Sequence, residues 1–231
     1  MAARPRPPAV EMNDQALTVL RWPASVDPTQ ELLVVAIDTP DTPIRDTARQ
    51  LVRTVLREIL GDVELVSAPG QPIRLARPDS PLSISVSHET GLSVLAIRRS
   101  GPVGIDLLRL PDNPDWKAQI PVLARDYLGP QIAQRIAHLP PAEQMAHFAR
   151  AWAEHEASLK CRGLPLEEWS PALVEKLSPC RVRQLVMPTG YIGAIALSGT
   201  IVELPRHFAL LRLPEARERP AMKDPCGISM P

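Results

Sequence analysis

Apolar residues along the first half of the chain follow one strand-like run, one helical period and three short runs. Residues 31–37, ELLVVAI, form a continuous apolar run of strand length. Residues 41–62 have apolar positions three and four apart, which is typical of a helix that Thr42 caps, Pro43 begins and Gly61 ends. The short runs, separated by the turns HETG and RRSGP, cover residues 83–87, 92–97 and 103–108. This half therefore predicts a helix followed by a three-stranded meander.

The second half repeats this order. A helical region covers about residues 116–160. Breaks are expected at Pro121, Gly129–Pro130 and Pro140–Pro141. Three apolar runs follow, separated by the turns PTG and SGT, at residues 181–187, 191–197 and 201–204. The repeat predicts an α+β fold built from two similar helix-plus-three-stranded-meander halves, a pseudo-dimer within one chain.

These patterns divide the chain into four segments. We expect a Pro-rich N-terminal segment at 1–30, an N-terminal half at 31–110 and a C-terminal half at 111–212. The tail at 213–231 has no hydrophobic period and is expected to be mobile. Because the repeat is internal, a monomer is the expected state.

Composition and charge narrow the class of protein. The chain has 231 residues, 45% of them hydrophobic, which is ample for a core. Its 26 Lys and Arg residues balance 26 Asp and Glu residues, which argues against nucleic-acid binding. The odd count of three cysteines argues against a disulfide framework, and their spacing is not that of metal ligands. With no membrane-spanning run of about 20 apolar residues and no signal-peptide core, we expect a soluble cytoplasmic protein.

A carboxylate interrupts the apolar stripe of the second helical region. That stripe comprises Met145, Phe148, Ala149, Trp152 and Leu159. Glu156 lies in its middle, where a charge is costly unless it is paired or coordinates a cation. Two interpretations are open: a slightly rotated helix in which Glu156 pairs with Lys160 at i+4, or a metal ligand that faces a cleft.

A second carboxylate, Asp106, lies within the apolar strand VGIDLL, where aspartate is disfavoured. Strand alternation puts it on the same face as Gly104, which leaves room beside it. It could be a strand-end aspartate that hydrogen-bonds to a turn. Alternatively, one acid from each half meets the needs of a magnesium site at the seam, because Mg²⁺ is typically held by one or two carboxylates with phosphate and water.

The nearby cations fit a phosphorylated ligand. Lys160 lies one turn beyond Glu156 on the same helix face. His88 begins the turn after Ser87, where a polar side chain and free backbone N–H groups could meet a phosphate, although an exposed turn histidine is the simpler interpretation.

Three arginines follow one another at i+4 steps along the first helix: Arg45, Arg49 and Arg53. Such a row usually marks a solvated edge. Arg45 is the best placed for a phosphate, because it lies in the first turn, where the helix dipole favours anions.

Three stretches together resemble a known family. SVSH before a hairpin, VGIDLL after it, and WAEHEASLK followed by CRGLPL are similar, in order and separation, to signatures of 4′-phosphopantetheinyl transferases of the larger, single-chain pseudo-dimeric type. The matching runs span about residues 41–202. The resemblance implies an enzyme that uses magnesium to move phosphopantetheine from coenzyme A to a serine of an acyl or peptidyl carrier protein. It also implies release of adenosine 3′,5′-bisphosphate and an active site between two similar α+β halves.

The resemblance also implies roles for particular residues. Asp106 and Glu156 fall on the family's metal-ligand positions, and Lys160 falls on the lysine that contacts the phosphates. Glu156 and Lys160 are therefore the predicted catalytic residues. The predicted coenzyme A contacts are Arg45, Arg49, Ser87, His88 and Lys160.

The sequence departs from the family pattern at three positions. Leu108 stands where many members have a second strand acid, and His155 stands where they often have a lysine. Gln71 replaces a basic residue before the proline of the mid-loop. Two alternatives stay open: a non-catalytic relative that binds coenzyme A or a carrier through a degenerate site, and a metal-dependent nuclease or phosphatase.

Residues 120–139, between the repeats, are a candidate surface for the carrier protein. Their apolar side chains, with Arg125 and Arg135, could meet the acidic amphipathic helix that is typical of carriers. Core packing is the alternative explanation for most of these apolar residues.

Overall fold

The computed structural model describes residues 17–18, 20–22, 26–40, 45–66, 73–76, 80–110 and 114–199, which form an α+β fold. The strands are β1 (Leu17–Thr18), β2 (Leu20–Arg21), β3 (Leu32–Asp38), β4 (Leu65–Val66), β5 (Arg74–Leu75), β6 (Ser83–Glu89), β7 (Leu92–Arg98), β8 (Val103–Arg109), β9 (Arg181–Val186) and β10 (Tyr191–Leu197). The helices are α1 (Arg45–Leu60), α2 (Pro114–Leu123), α3 (Pro130–Ala137), α4 (Pro141–Arg162) and α5 (Pro171–Leu177), with a π-helical turn at Ala124–Leu128. None of the described helices combines the length and the hydrophobicity needed to cross a bilayer.

Each of the two main sheets contains a strand–helix–hairpin unit whose last strand is central. The strand orders are β2-β3-β7-β6 and β1-β9-β10-β8. In the first sheet β3 and β6 flank β7, and α1 connects β3 to β6. In the second sheet β8 and β9 flank β10, and α4 belongs to the connection from β8 to β9. All of these pairs are antiparallel, so the two units share both order and strand direction.

The third strand of the first predicted meander joins the other sheet. β8 pairs along its length with β10, in a register that sets Asp106 opposite Ala194, and it does not pair with β7. The predicted three-stranded meander over residues 83–108 is therefore wrong, because hydrophobic alternation identifies a strand without naming its partner. The boundary expected after residue 110 assigned β8 to the first half, whereas its strand pairing is with β10 of the second sheet.

The helical region is interrupted at two of the three expected places. These are Gly129–Pro130, where α3 begins, and Pro140–Pro141, where α4 begins. Pro121 instead lies inside α2, and the chain continues from there into the π-helical turn. The expected cap at Thr42–Pro43, the third strand of the second meander at 201–204 and the tail at 213–231 lie outside the described residues.

Apolar side chains form a core on both faces of each sheet. Val34 and Val94 pack against Ile105 and Ile195 between the two sheets. The outer face of the first sheet is packed against α1. The outer face of the second is packed against α4, through small side chains: Ala153, Ala157, Cys161, Ala194 and Ala196. Because these side chains are small, α4 lies close to the sheet.

Gly104 marks the closest approach of α4 to β8. A Cβ atom at this position would lie 2.0 Å from the Ala157 carbonyl oxygen and 2.3 Å from the Cys161 nitrogen. Only glycine therefore allows this crossing. Asp106, two residues further along the same strand face, is held beside α4 as a result.

The sheets also join along their edges. The backbone N–H of Ile105 on β8 donates a hydrogen bond of 3.0 Å to Ser85 Oγ on β6. At a separate place, the N-terminal residues cross from one sheet to the other, since β1 pairs with β9 and β2 pairs with β3. The edge formed by β6 and β8, which we call the seam, carries the candidate site.

Candidate functional site

Three side chains from three elements meet at the seam. Asp106 on β8 is only 6% exposed, and its Oδ1 accepts hydrogen bonds from Ser87 Oγ at 2.9 Å and Lys160 Nζ at 2.6 Å. Lys160 Nζ on α4 also donates to Ser87 Oγ on β6 at 3.2 Å. Each member of the group therefore contacts the other two. An ammonium group and a hydroxyl group therefore take the place of water around this buried carboxylate.

Glu156 lies one turn before Lys160 on α4 and is half-buried. Burial raises the pKa of its carboxyl group, the negative charge of Asp106 raises it further, and the ammonium of Lys160 opposes both. The two acids are therefore electrostatic neighbours. In the described part of the chain Lys160 makes its ion pair with Asp106, so the alternative i+4 pair between Glu156 and Lys160 is not formed.

Glu89, at the end of β6, is an acid that the sequence reasoning missed. Its carboxylate accepts hydrogen bonds from the backbone N–H groups of Arg109 and Thr90, while burial and the charge of Asp106 raise its pKa. The sequence reasoning treated HETG as a turn, but β6 includes its first two residues, His88 and Glu89. Strand alternation then puts Glu89 on the same face as Ser87.

The acids at the seam fit a magnesium ion in number and in chemistry. Within the described residues, no three His, Cys, Asp or Glu side chains converge on one point. Magnesium does not require three, because it is commonly held by one or two carboxylates together with phosphate oxygens and water. Asp106 and Glu156 supply hard oxygen donors from a strand and a helix. Burial is the main cause of the raised pKa of Glu156, and a divalent cation would offset the smaller contribution from the charge of Asp106.

His88 belongs to the opposite face of β6. With Ile84 and Val86, it lies on the α1 side of the sheet, whereas Ser87 points to the seam. It is half-buried, and its Nδ1 lies 2.7 Å from Ser93 Oγ. It is therefore not the exposed turn histidine of the simpler interpretation.

The predicted arginines lie on α1, away from the seam. Arg49 is 37% exposed and forms an ion pair with Asp46, with 3.8 Å between nitrogen and oxygen. Arg45 is the first residue of the helix, and its side chain lies outside the described part. The structure thus brings Ser87, Asp106 and Lys160 into contact, with Glu156 one turn away on α4 as an electrostatic neighbour. It leaves His88 and the α1 helix that carries the arginines on the other side of the first sheet.

The three departures from the family pattern differ in their surroundings. Leu108 is half-buried on β8, and Gln71 lies outside the described residues. His155 is also half-buried, burial lowers its pKa, and its Nε2 is buried without a partner in the described part of the structure. A neutral imidazole there does not supply the positive charge of a lysine.

Glu156→Gln is expected to raise the free energy of unfolding at neutral pH. The raised pKa means that the folded protein binds this proton more tightly than the unfolded chain does, so the ionised carboxylate destabilises the fold above its folded-state pKa. We expect a gain of about 1 kcal/mol or less, because partial exposure screens the charge. Thermal unfolding from neutral to acidic pH should show the difference shrinking as the pH falls through the raised folded-state pKa, and no difference from this group below its ordinary pKa of 4.5. A less stable Glu156→Gln protein at neutral pH, judged against Glu154→Gln on the same helix, would contradict the electrostatic account.

No model of a known protein family matches this sequence, and no curated protein is significantly similar to it.

Proposed function

We propose that this protein is a magnesium-dependent 4′-phosphopantetheinyl transferase that acts on an acyl or peptidyl carrier protein. One observation carries the proposal: Asp106, Lys160 and Ser87 form a single hydrogen-bonded group, with Glu156 one turn away. The family resemblance assigns Asp106 and Glu156 to the metal, Lys160 to the phosphates and Ser87 to coenzyme A. They come from segments far apart in the sequence.

The architecture supports the same proposal. Two strand–helix–hairpin units with the same order and strand directions are what a pseudo-dimeric chain of this family requires. The candidate site lies where an edge of one unit meets an edge of the other. A single chain therefore supplies both sides of the site, which favours a monomer.

The residues of the seam suit phosphoryl transfer, which needs positioning and charge neutralisation more than covalent help. Asp106 and Glu156 would hold the magnesium ion, which supplies charge neutralisation for the pyrophosphate of coenzyme A. Lys160 would stabilise the charge on the transferred phosphate and on the departing adenosine 3′,5′-bisphosphate. Ser87 orients Asp106 and Lys160 through its hydroxyl group.

Two further roles complete the proposal. The resemblance assigns the nucleotide end of coenzyme A to His88, Arg45 and Arg49. Because His88 and α1 lie on the other side of β6, the nucleotide would have to extend from the seam around the edge of this strand. Glu156 would accept the proton from the serine hydroxyl of the carrier.

Incubation with coenzyme A, magnesium and an apo carrier protein tests the proposal directly. Mass spectrometry of the carrier should show the added phosphopantetheine arm, and chelation of divalent ions should abolish the addition. Several carriers, from fatty acid, polyketide and peptide synthesis, should be compared. Absence of the arm from all of them, with folded protein and loaded controls, would overturn the proposal.

A non-catalytic relative is the second candidate, and the surroundings of His155 favour it. Burial lowers the pKa of His155, and its buried Nε2 has no hydrogen-bond partner among the described residues. This position therefore lacks the positive charge of the lysine that family members often have there. Such a protein would bind coenzyme A, measurable by calorimetry, and would never modify a carrier.

Arg135→Glu is expected to raise KM for the carrier about tenfold and to leave KM for coenzyme A unchanged. Arg135 is exposed on α3, whereas Ile120, Leu128 and Ile136 of the same region are buried against Phe148, so core packing accounts for those apolar residues. The exposed charge remains available to an acidic helix. Steady-state kinetics with each substrate varied in turn measures the effect.

Arg57→Glu, an equally exposed charge reversal on α1, serves as the control for net charge. The docking surface would be refuted if both substitutions raised KM for the carrier equally, or if Arg135→Glu acted on coenzyme A instead.

A further inference from the structure

Two cysteines lie side by side at the end of α4, and the proposed transfer reaction does not use them. Cys161 lies in the last turn of the helix, and Cys180 immediately precedes β9. Both pack into the same apolar cluster between α4 and the second sheet. The two thiols are hydrogen-bonding neighbours, and each also lies close to a backbone carbonyl oxygen.

The environment of the pair holds the sulfurs in place while leaving one of them accessible. Cys161 is 5% exposed, and its Sγ lies 3.6 Å from the carbonyl oxygen of Pro102. Cys180 is half-buried, with its Sγ 3.9 Å from the carbonyl oxygen of Ser158 on α4. A small oxidant can therefore reach the pair from the side of Cys180, and the two thiols are already neighbours in one cluster.

We propose that Cys161 and Cys180 form a reversible disulfide when the protein meets a hydroperoxide, which links the last turn of α4 to the start of β9. This inference is independent of the proposed transferase activity.

The chemistry has two balanced steps. The Cys161 thiolate attacks one peroxide oxygen, the O–O bond breaks, and the departing hydroxide takes a proton to become water, which leaves a sulfenic acid on Cys161. The sulfur of Cys180, on losing its proton, then attacks the Cys161 sulfur. The S–S bond forms, the S–O bond breaks, and a second water leaves. Overall, two thiols are oxidised, and one hydrogen peroxide is reduced to two water molecules.

The pKa values of the two thiols shift in opposite directions, which indicates which sulfur attacks the peroxide. The hydrogen bond from Cys180 is the main cause that lowers the pKa of Cys161 to about 7, with help from Ser198 and from the positive charges of Arg98 and Arg162, while burial opposes them. The pKa of Cys180 is raised by the same hydrogen bond and by burial. At neutral pH Cys161 is therefore the nucleophile, and Cys180 resolves the sulfenic acid.

The test treats the full-length protein with a small excess of hydrogen peroxide, alkylates the remaining thiols and maps the non-reduced peptides by mass spectrometry. We expect one peptide pair joined through Cys161 and Cys180, reversible by dithiothreitol, with Cys226 alkylated. A disulfide to Cys226, or Cys161 oxidised without a cross-link, would overturn the inference.

A matched pair of variants tests the order of the steps. In Cys180→Ala, Cys161 should stop at the sulfenic acid and be trapped by dimedone, whereas in Cys161→Ala the oxidation of Cys180 should slow at least tenfold. Alkylation of Cys161 against pH, in a Cys226→Ala background, should reach its half-maximal rate near pH 7 and shift to higher pH in Cys180→Ala. An unchanged profile would show that the thiols are not in contact and would equally overturn the inference.

Discussion

Asp106→Asn is expected to lower the rate of carrier loading by at least about a hundredfold. Asparagine keeps the shape of the side chain and can still accept the hydrogen bond from Ser87. It removes the charge that holds Lys160 Nζ at 2.6 Å, and it replaces one of the two proposed carboxylate ligands of magnesium with a neutral amide. Measurement of kcat/KM for an apo carrier, with a parallel titration of Mn²⁺ binding to the protein alone, separates loss of chemistry from loss of metal.

The control and the double variant make this prediction specific. Glu154→Gln, on the same helix but with its carboxylate bound to Gln184 of β9, should change the rate less than about threefold, as for a peripheral hydrogen bond. Asp106→Asn combined with Glu156→Gln should lose little more than the worse single variant, because residues that act through one ion are not additive. Near-normal loading by Asp106→Asn would end the proposed mechanism.

Gly104→Ala is expected to cost about 3 kcal/mol of unfolding free energy or more, because it overpacks a close crossing of main chains. The added Cβ would lie 2.0 Å from the Ala157 carbonyl oxygen, and both crossing elements are regular backbone that cannot rotate away. For a chain of this size the loss corresponds to a drop in Tm of roughly 10 °C. Denaturant and thermal unfolding measure it. The displaced β8 should also move Asp106 from Lys160 and weaken metal binding in whatever protein stays folded.

Gly193→Ala is the matched control, since it adds the same methyl group to β10 of the same sheet. The three atoms nearest its Cβ would belong to the Met187 and Leu185 side chains, the closest at 3.1 Å, and such flexible ends can move. We expect a cost of about 1 kcal/mol. Equal losses from the two variants would mean that α4 does not lie against β8 as described.

The hydrophobic pattern along the chain identified most of the strands and helices, but it did not give their last residues correctly. The run at residues 31–37 became β3 at Leu32–Asp38, because a continuous apolar strand contrasts sharply with the polar residues around it. β6 instead extends to Glu89, since two polar residues of the HETG turn still pair with β7. Polar residues at a strand end look the same as a turn when only one chain segment is considered.

For the candidate site, too, the sequence predicted some features and missed others. Asp106 and Glu156 were recognisable because each is a charge on an otherwise apolar element, a contradiction that the sequence carries locally. Ser87 was expected to bind coenzyme A, and its hydrogen bonds to Asp106 and Lys160 could not be foreseen. Glu89 gave no such signal, because a glutamate beside a turn is ordinary.

By itself the sequence determined which stretches form strands and helices and which acids are out of place, because hydrophobic periodicity and buried charge act over a few residues. Only the tertiary structure decided that β8 leaves β7 for β10, that β6 lies along its free edge, and that α4 crosses at Gly104. These features depend on pairing between segments tens of residues apart in the sequence. Hydrophobic pattern alone does not distinguish between the several apolar strands that could pair with a given strand. The meeting of Ser87, Asp106 and Lys160 is a consequence of these features.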